Sequence, residues 1–191
     1  MSDIKLVLGS KSPRRQALIQ ELGFPVEIRT KEVEEIYPDD LPTHEVPAYL
    51  SKLKAEPLRN SLAGDELLVT SDTIVLFDGR VVGKPSDANA AKEMLSKLSG
   101  NTHTVITGVS LTSNEKQVTF SSKTTVFFDE LSSEEINHYV DTFQPLDKAG
   151  SYGIQEWIGY IGVKKIEGCY YNVMGLPLHD LYKNVKSNFC K

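Results

Sequence analysis

The sequence predicts an α/β fold, a mixed and twisted central sheet with flanking helices, on two observations. Short apolar strand-like segments alternate with helical ones from Ile4 onward, which calls for crossover connections. Two hairpin signals, Asp78-Gly79 and the polar stretch Ser113–Lys116, break that alternation with antiparallel pairs. The sheet is therefore expected to be mixed, not doubly wound and parallel.

Each element has its own signal. Ile4–Leu8 is a short apolar strand, and Ser12 as N-cap, Pro13 at the first helical position and Gly23 past the end bracket a helix over about 13–22. Pro25–Thr30 reads as a second strand. Thr43 to about Ser61 is helical by the spacing of Val46, Tyr49, Leu50, Leu53 and Leu58, with Pro57 expected to kink or interrupt it. Leu67–Phe77 is an apolar strand, turned by Asp78-Gly79 into a return at Val81-Val82. Ala88–Leu98 is a helix capped by Ser86 or Asp87 and stopped by Gly100. Thr102–Thr112 and Gln117–Phe128, rich in Thr and Val, form a long hairpin. Ser132 with Glu135 is a capping box opening a helix to about Thr142. A glycine-bearing loop over 144–155, strands near 158–166 and 169–173, and a helix from about Leu178 complete the expectation.

Length and composition exclude whole classes. The 191 residues are 40% hydrophobic and 25% charged, ordinary usage for a globular chain. At roughly 100–200 residues per domain a single domain over 1–191 is expected, folded as two lobes around a cleft. No apolar run approaches the roughly 20 residues needed to span a bilayer, so no membrane partner is expected. Met-Ser-Asp-Ile-Lys carries no basic segment followed by an apolar one, which makes the cytoplasm the expected location. Cys169 and Cys190 lie in no CxxC pair and support neither a disulfide framework nor a zinc site. The four histidines are scattered, without the pattern of a Ser-His-Asp site.

The net charge of −5 argues against a nucleic-acid polymer as partner, though not against one phosphorylated small molecule. That charge is segregated. Residues 1–31 hold six Lys and Arg, and residues 32–47 hold six acidic side chains and no Lys or Arg. This is either two solvated surfaces or a phosphate grip beside a metal grip.

Gly9-Ser10-Lys11-Ser12-Pro13-Arg14-Arg15 stands where a strand gives way to a helix, so free N–H groups and the helix dipole favour an anion there. A capped helix with two solvated arginines explains the same residues. Ser10 stands where the second glycine of a P-loop is required, so the turn is not one. In Val69–Val75, Asp72 is a carboxylate in a run otherwise apolar enough for a central strand. It marks a strand interruption facing a cleft, with a Lys or metal partner, or else an Asx turn. Lys84, across the hairpin in Gly83-Lys84-Pro85, offers an ammonium for it, or is a plain loop residue. Glu32, Glu34 and Glu35 suit magnesium or acid/base work, or form a solvated acidic run. Asp147–Gln155 joins a charged pair to glycines that let backbone approach a ligand, or is simply a loop. Lysines, arginines, separated carboxylates and glycine turns are together the kit of metal-assisted phosphoryl chemistry.

The sequence closely resembles the Maf family of septum formation proteins, which are similar in fold to the inosine triphosphate pyrophosphatases. The markers run end to end: LGSKSPRR at 8–15, EVEE at 32–35, Lys52 and Lys54-Ala55, SDTIV at 71–75, GKP at 83–85, LSGNTHTVITGV at 98–109, LDKAGSYGIQ at 146–155 and VMGLPL at 173–178. The resemblance implies hydrolysis of a nucleoside triphosphate to the monophosphate and pyrophosphate with a divalent cation, Mg²⁺ or Mn²⁺, and a role in cleaning nucleotide pools. By motif, Asp72 would activate water and, with Glu34, ligate metal. Ser10, Arg14, Lys54, Lys84 and Lys148 would hold the triphosphate. Arg14, Thr73 and Gln155 match the branch that resembles dTTP/UTP pyrophosphatases and would set specificity. A homodimer is an expectation from the same resemblance, and a nucleotide-binding regulator of cell division without turnover is the competing reading. Gly9 replaces the family's common alanine, Thr70-Ser71 its frequent Gly-Ala, and Glu156-Trp157 stands where glycine is commoner after Gln155. Trp157 either packs in the core or stacks on a nucleobase.

Overall fold

The computed structural model describes residues 4–190. Seven strands occur among them: β1 (Lys5–Leu8), β2 (Val26–Ile28), β3 (Glu66–Phe77), β4 (Arg80–Val82), β5 (Thr102–Thr112), β6 (Gln117–Phe128) and β7 (Val163–Glu167). The helices are α1 (Pro13–Gln20), α2 (Val46–Arg59), α3 (Ala88–Leu98), α4 (Ser133–Phe143), α5 (Trp157–Gly162), α6 (Tyr170–Met174) and α7 (Leu178–Asn188). The strands form one sheet in the order β2-β1-β3-β5-β6-β7, with β4 on β3. The pairs β1–β2 and β1–β3 are parallel, while β3–β4 and β6–β7 are antiparallel. The mixed sheet with flanking helices is thus the predicted one.

The chain divides into two compact units. The first takes its described residues from Met1–Thr73, Thr107–Ser122 and Gly175–Lys191, the second from Ile74–Ile106 and Lys123–Met174. In the first, Val7 and Leu68 of the sheet bury against Ala55, Leu58 and Leu62. The second has its own core, in which Leu95 of α3 and Tyr139 and Val140 of α4 pack with Val105, Val126 and Ile158.

Local signals account for most boundaries. The capping box at α4 forms as expected, Ser132 accepting from the Glu135 N–H while the Glu135 carboxylate accepts from the Ser132 N–H. At α3 the cap is Asp87, whose Oδ1 accepts from the Ala90 N–H at 2.9 Å. Ser12 holds the cap position of α1 without a side-chain capping bond; its own N–H is satisfied by Ser10 Oγ at 3.2 Å. Pro57 does not interrupt α2. It lies in the last turn and removes only one N–H from a helix that ends at Arg59. The segment before α2 is a separate 3-10 turn, Thr43–Glu45.

The stretch after residue 156 differs from expectation. The strand expected near 158–166 is α5 followed by β7, and the strand expected at 169–173 is α6. Trp157–Gly162 is nearly continuously apolar, so its periodicity does not separate a short helix from a strand. At α6 the cause is tertiary. The Cys169 N–H donates to Thr124 Oγ1 at 3.0 Å, and Gly168 at φ 132° turns the chain off β7 just before it. Thr124 thereby overrides the β propensity of Tyr170-Tyr171-Asn172-Val173. The glycine loop also contains a 3-10 turn, Ala149–Ser151, with Gly150 at φ 73°.

A charge cluster ties the start of β3 to β1 and β2. Glu66, only 6% exposed, accepts from Arg29 through both oxygens at 2.9 and 3.0 Å, from Lys5 at 3.2 Å and from the Ala63 N–H at 3.0 Å. The Arg29 bonds first, then the Ala63 N–H, hold its carboxyl down to about 2, from an ordinary value of 4.5. A depressed pKa contributes stability above the ordinary value and loses it as pH falls through the folded one. Glu66→Gln is therefore expected to lower unfolding free energy by about 2 kcal/mol near neutral pH. In urea titrations the gap should close as pH drops from about 4.5 towards 2.

Candidate active site

The first unit assembles its polar residues around β3, which runs unbroken through Asp72. Asp72 is therefore neither at a strand interruption nor in an Asx turn, and it is only 8% exposed. The two-residue strand period puts Thr70 and Asp72 on one face, where α2 presents Ser51, Lys54, Ala55 and Leu58 at helical spacing. Thr70 Oγ1 donates to the Ser51 carbonyl at 2.7 Å, and Lys54 Nζ donates to Asp72 Oδ1 at 2.6 Å. Lys54 also pairs with Glu35 Oε1 at 2.9 Å. The carboxylate in an apolar strand is thus balanced by a largely buried ammonium, as a low-dielectric setting requires. The ammonium beside Asp72 comes from Lys54, where the sequence had offered Lys84.

Thr73 points the other way. Its hydroxyl accepts from Arg15 Nη2 at 2.9 Å and bonds Thr107 Oγ1 at 2.9 Å. Arg15 also donates to the Ser71 carbonyl at 2.8 Å and to the Gly175 carbonyl at 2.8 Å. Burial pulls its guanidinium below the ordinary value, partly offset by the Asp72 charge. One arginine thereby fixes α1, β3 and the turn before α7 relative to each other. The SPRR turn yields two different arginines: Arg15 is this internal brace, and Arg14 stands half-buried in the first turn of α1.

Ser10 is 9% exposed at the end of β1; its hydroxyl takes the Ser12 N–H and its carbonyl accepts from Gln16 Nε2 at 3.1 Å. Gly9 explains two departures from the family pattern together. A Cβ there would stand 2.7 Å from Thr70 Cγ2, so the glycine makes room for a threonine on β3. Glu34 is exposed, and Glu35 is the carboxylate that joins Lys54 and Asp72.

The second unit holds the remaining candidates. Lys148, 8% exposed, pairs with Asp147 at 2.8 Å and Glu156 at 3.2 Å. The Gly150 N–H donates to the Gly83 carbonyl at 3.1 Å, tying the 147–155 loop to Gly83-Lys84-Pro85, where Lys84 itself is exposed. Gln155 Nε2 faces Glu156 Oε1 at 3.4 Å, and Gln155 Oε1 is buried with no hydrogen-bond partner among the described residues. Trp157 packs against the core and meets His138 edge-on at 4.8 Å between ring centres. His103 is buried against Tyr152, its Nε2 2.6 Å from the hydroxyl, and burial pushes it down to about 4. It is accordingly a neutral packing residue near pH 7.

The sequence reading gave no separate role to Arg15 or Glu156, and named Glu35 only together with Glu32 and Glu34. Glu35 stood in the acidic run but had no mark separating it from Glu34. Glu156 was visible as a departure from the family's glycine, and that was its signal.

The family described as "Maf-like protein" matches residues 5–188, and the chain belongs to that family. A dTTP/UTP pyrophosphatase of Phocaeicola vulgatus is 53% identical over 183 residues, covering 95% of each chain. One from Bacteroides thetaiotaomicron is 52% identical with the same coverage. Among solved structures, a HAM1 protein from Coxiella burnetii aligns with a TM-score of 0.50 at 15% identity, over 96% of this chain and 99% of that one, a likeness of fold.

Proposed function

We infer that this chain is a dTTP/UTP pyrophosphatase, a hydrolase that cuts the α–β phosphoanhydride to leave the monophosphate and pyrophosphate and so cleans nucleotide pools. The curated relatives at about half identity carry that name over almost their whole length. The observation that carries the chemistry is the Asp72–Lys54 pair, a nearly buried carboxylate in an apolar strand held by one ammonium at 2.6 Å.

Attack at the α-phosphorus meets about four negative charges on the triphosphate, so cations must neutralise the ligand before water can approach in line. Arg14, Lys54, Lys84 and Lys148 supply that charge, and Ser10 supplies a hydroxyl at the β1–α1 turn. Asp72 takes the proton of the attacking water, which is general-base work. Thr73 and Gln155 read the base. Arg14 joins them in setting specificity.

A divalent cation fits these residues. Among the described residues no three His, Cys, Asp or Glu side chains cluster as a metal cage. However, Asp72 and Glu35 oxygens converge on one ammonium, and a magnesium-type ion needs only one or two carboxylates beside substrate phosphates. Asp72 with Glu35, or with Glu34 one residue away, would hold it. When bound, such an ion supplies charge neutralisation at the phosphates and a lowered pKa for coordinated water.

A panel of nucleotides with Mg²⁺, analysed for both products, tests the reading. The expected outcome is pyrophosphate plus monophosphate from dTTP and UTP, at least about tenfold faster than from GTP. Equal release from GTP would overturn the pyrimidine assignment. Diphosphate plus orthophosphate would overturn the cleavage position. Binding without turnover would favour the regulator.

A further inference from the structure

We propose that Glu156 is a positioning residue that fixes which way the Gln155 amide faces, and that this fixed orientation selects uracil and thymine over cytosine. The proposal rests on the reading of Gln155 as a base-contacting residue and adds what makes such a glutamine discriminate.

A glutamine alone does not discriminate between these bases. Uracil and thymine present a donor at N3 and an acceptor at O4; cytosine presents an acceptor at N3 and a donor at N4. A carboxamide matches either pattern by turning half a revolution about its last bond, because its oxygen and nitrogen exchange places. Selection therefore needs something that forbids the turn.

Glu156 is placed to do this. An ionised carboxylate only accepts, so it tolerates the amide NH₂ of Gln155 and repels its oxygen. Oε1 of Glu156 is the atom that faces Gln155 Nε2 at 3.4 Å. The carboxylate is itself anchored on two other sides. Lys148 Nζ lies 3.2 Å from Oε1, and the Tyr139 hydroxyl donates to Oε2 while accepting from the Gly153 N–H at 3.0 Å. Gly153 provides the floor: a Cβ there would come within 2.8 Å of both Gln155 Nε2 and the Glu156 carboxyl carbon. The two side chains thus lie over bare backbone, with little room to exchange places.

The consequence is on the other side of the amide. Gln155 Oε1 is buried and has no hydrogen-bond partner among the described residues. An unpaired acceptor of this kind is costly, and because it is covered as it stands, an entering base must uncover it to supply the donor. In the pinned orientation that donor is the imide N3–H, while the second Nε2 hydrogen remains for O4. Cytosine would set its unprotonated N3 against an amide oxygen, and a site built to hydrogen-bond one pattern rejects the other strongly.

The test uses the full chain and compares UTP with CTP, by kcat/KM for pyrophosphate release and by calorimetric binding of their α,β-imido analogues. Glu156→Gln replaces the acceptor with a group that both donates and accepts, and so frees Gln155 to turn. The UTP:CTP ratio should fall about tenfold or more in both readouts, chiefly through tighter CTP binding. Loss of the Lys148 pair in this variant acts on both nucleotides alike and cancels in the ratio. Tyr139→Phe, which loosens the carboxylate without removing it, should move the ratio the same way by a smaller factor; it also serves if Glu156→Gln fails to fold. An unchanged ratio in the variants, or equal binding of the two analogues by the wild type, overturns the proposal. Absence of UTP turnover in a wild type that still binds the UTP analogue selectively would overturn the hydrolase reading and leave the Glu156 assignment standing.

Discussion

Asp72→Asn is expected to reduce pyrophosphate release from dTTP and UTP by about 10³-fold, while nucleotide binding remains measurable. The asparagine side chain is nearly the same size, so it fits the place on β3 that the carboxylate occupies, 8% exposed. It lacks the basic oxygen that would take a proton from water. The cost to the fold should be small for a nearly buried charge, because Lys54 keeps a second partner in Glu35 at 2.9 Å. Breaking a buried pair is expensive when the survivor is left alone, and here it is not. The expected pattern is a large loss in kcat, a change of only a few-fold in dTTP affinity by calorimetry, and little change in melting temperature. Turnover equal to the wild type would remove Asp72 from the role of base. Equal loss of binding and turnover would assign it to holding the ligand or its cation instead.

What was legible beforehand follows the range of the interactions involved. The limits of α3, β5 and β6 were readable because each is set locally, by Asp87 and Gly100 or by a polar turn between Thr- and Val-rich strands. The capping box at Ser132 is equally local. Asp72 stood out as a carboxylate in an apolar run, and it was singled out from that alone. Its partner was not readable. Lys84 lies 12 positions away in sequence and Lys54 18, and only the packing of α2 onto β3 decides between them. The same limit applies to the SPRR turn, where nothing in the sequence says that Arg15 is the internal brace, and to α6, whose helical form depends on the hydroxyl of Thr124, 45 residues earlier. Glu156 falls between these cases, conspicuous as a departure but without a role until Gln155, Lys148 and Tyr139 are seen around it.

The pairing of Lys54 with Asp72 depends on how closely α2 approaches the sheet, and Gly108 sets that distance. A Cβ at Gly108 of β5 would lie 2.2 Å from the Pro47 carbonyl carbon, 2.3 Å from its oxygen and 2.3 Å from the Ala48 nitrogen. These are backbone atoms of the first turn of α2, so no side chain can rotate away and the helix itself must move. Further along, Ser51 Oγ bonds Ser110 Oγ at 2.8 Å and the Ser51 carbonyl takes the Thr70 hydroxyl, contacts only small residues permit. Gly108→Ala should therefore destabilise the protein by about 3 kcal/mol, at the upper end for overpacking because the obstruction is main chain. It should also lower kcat/KM by about 10²-fold in the fraction that remains folded, since a shift of about 1 Å in α2 displaces the ammonium paired with Asp72. Gly64→Ala supplies the control: a Cβ there meets nothing within 4 Å, and its effect should stay within about 0.5 kcal/mol. Urea titrations and pyrophosphate release on the two variants separate the outcomes. Loss of stability with undiminished turnover would show that the first turn of α2 yields without carrying Lys54 with it. Loss of both, with Gly64→Ala silent, would make one glycine on β5 the spacer that lets a lysine on α2 reach the reactive carboxylate on β3.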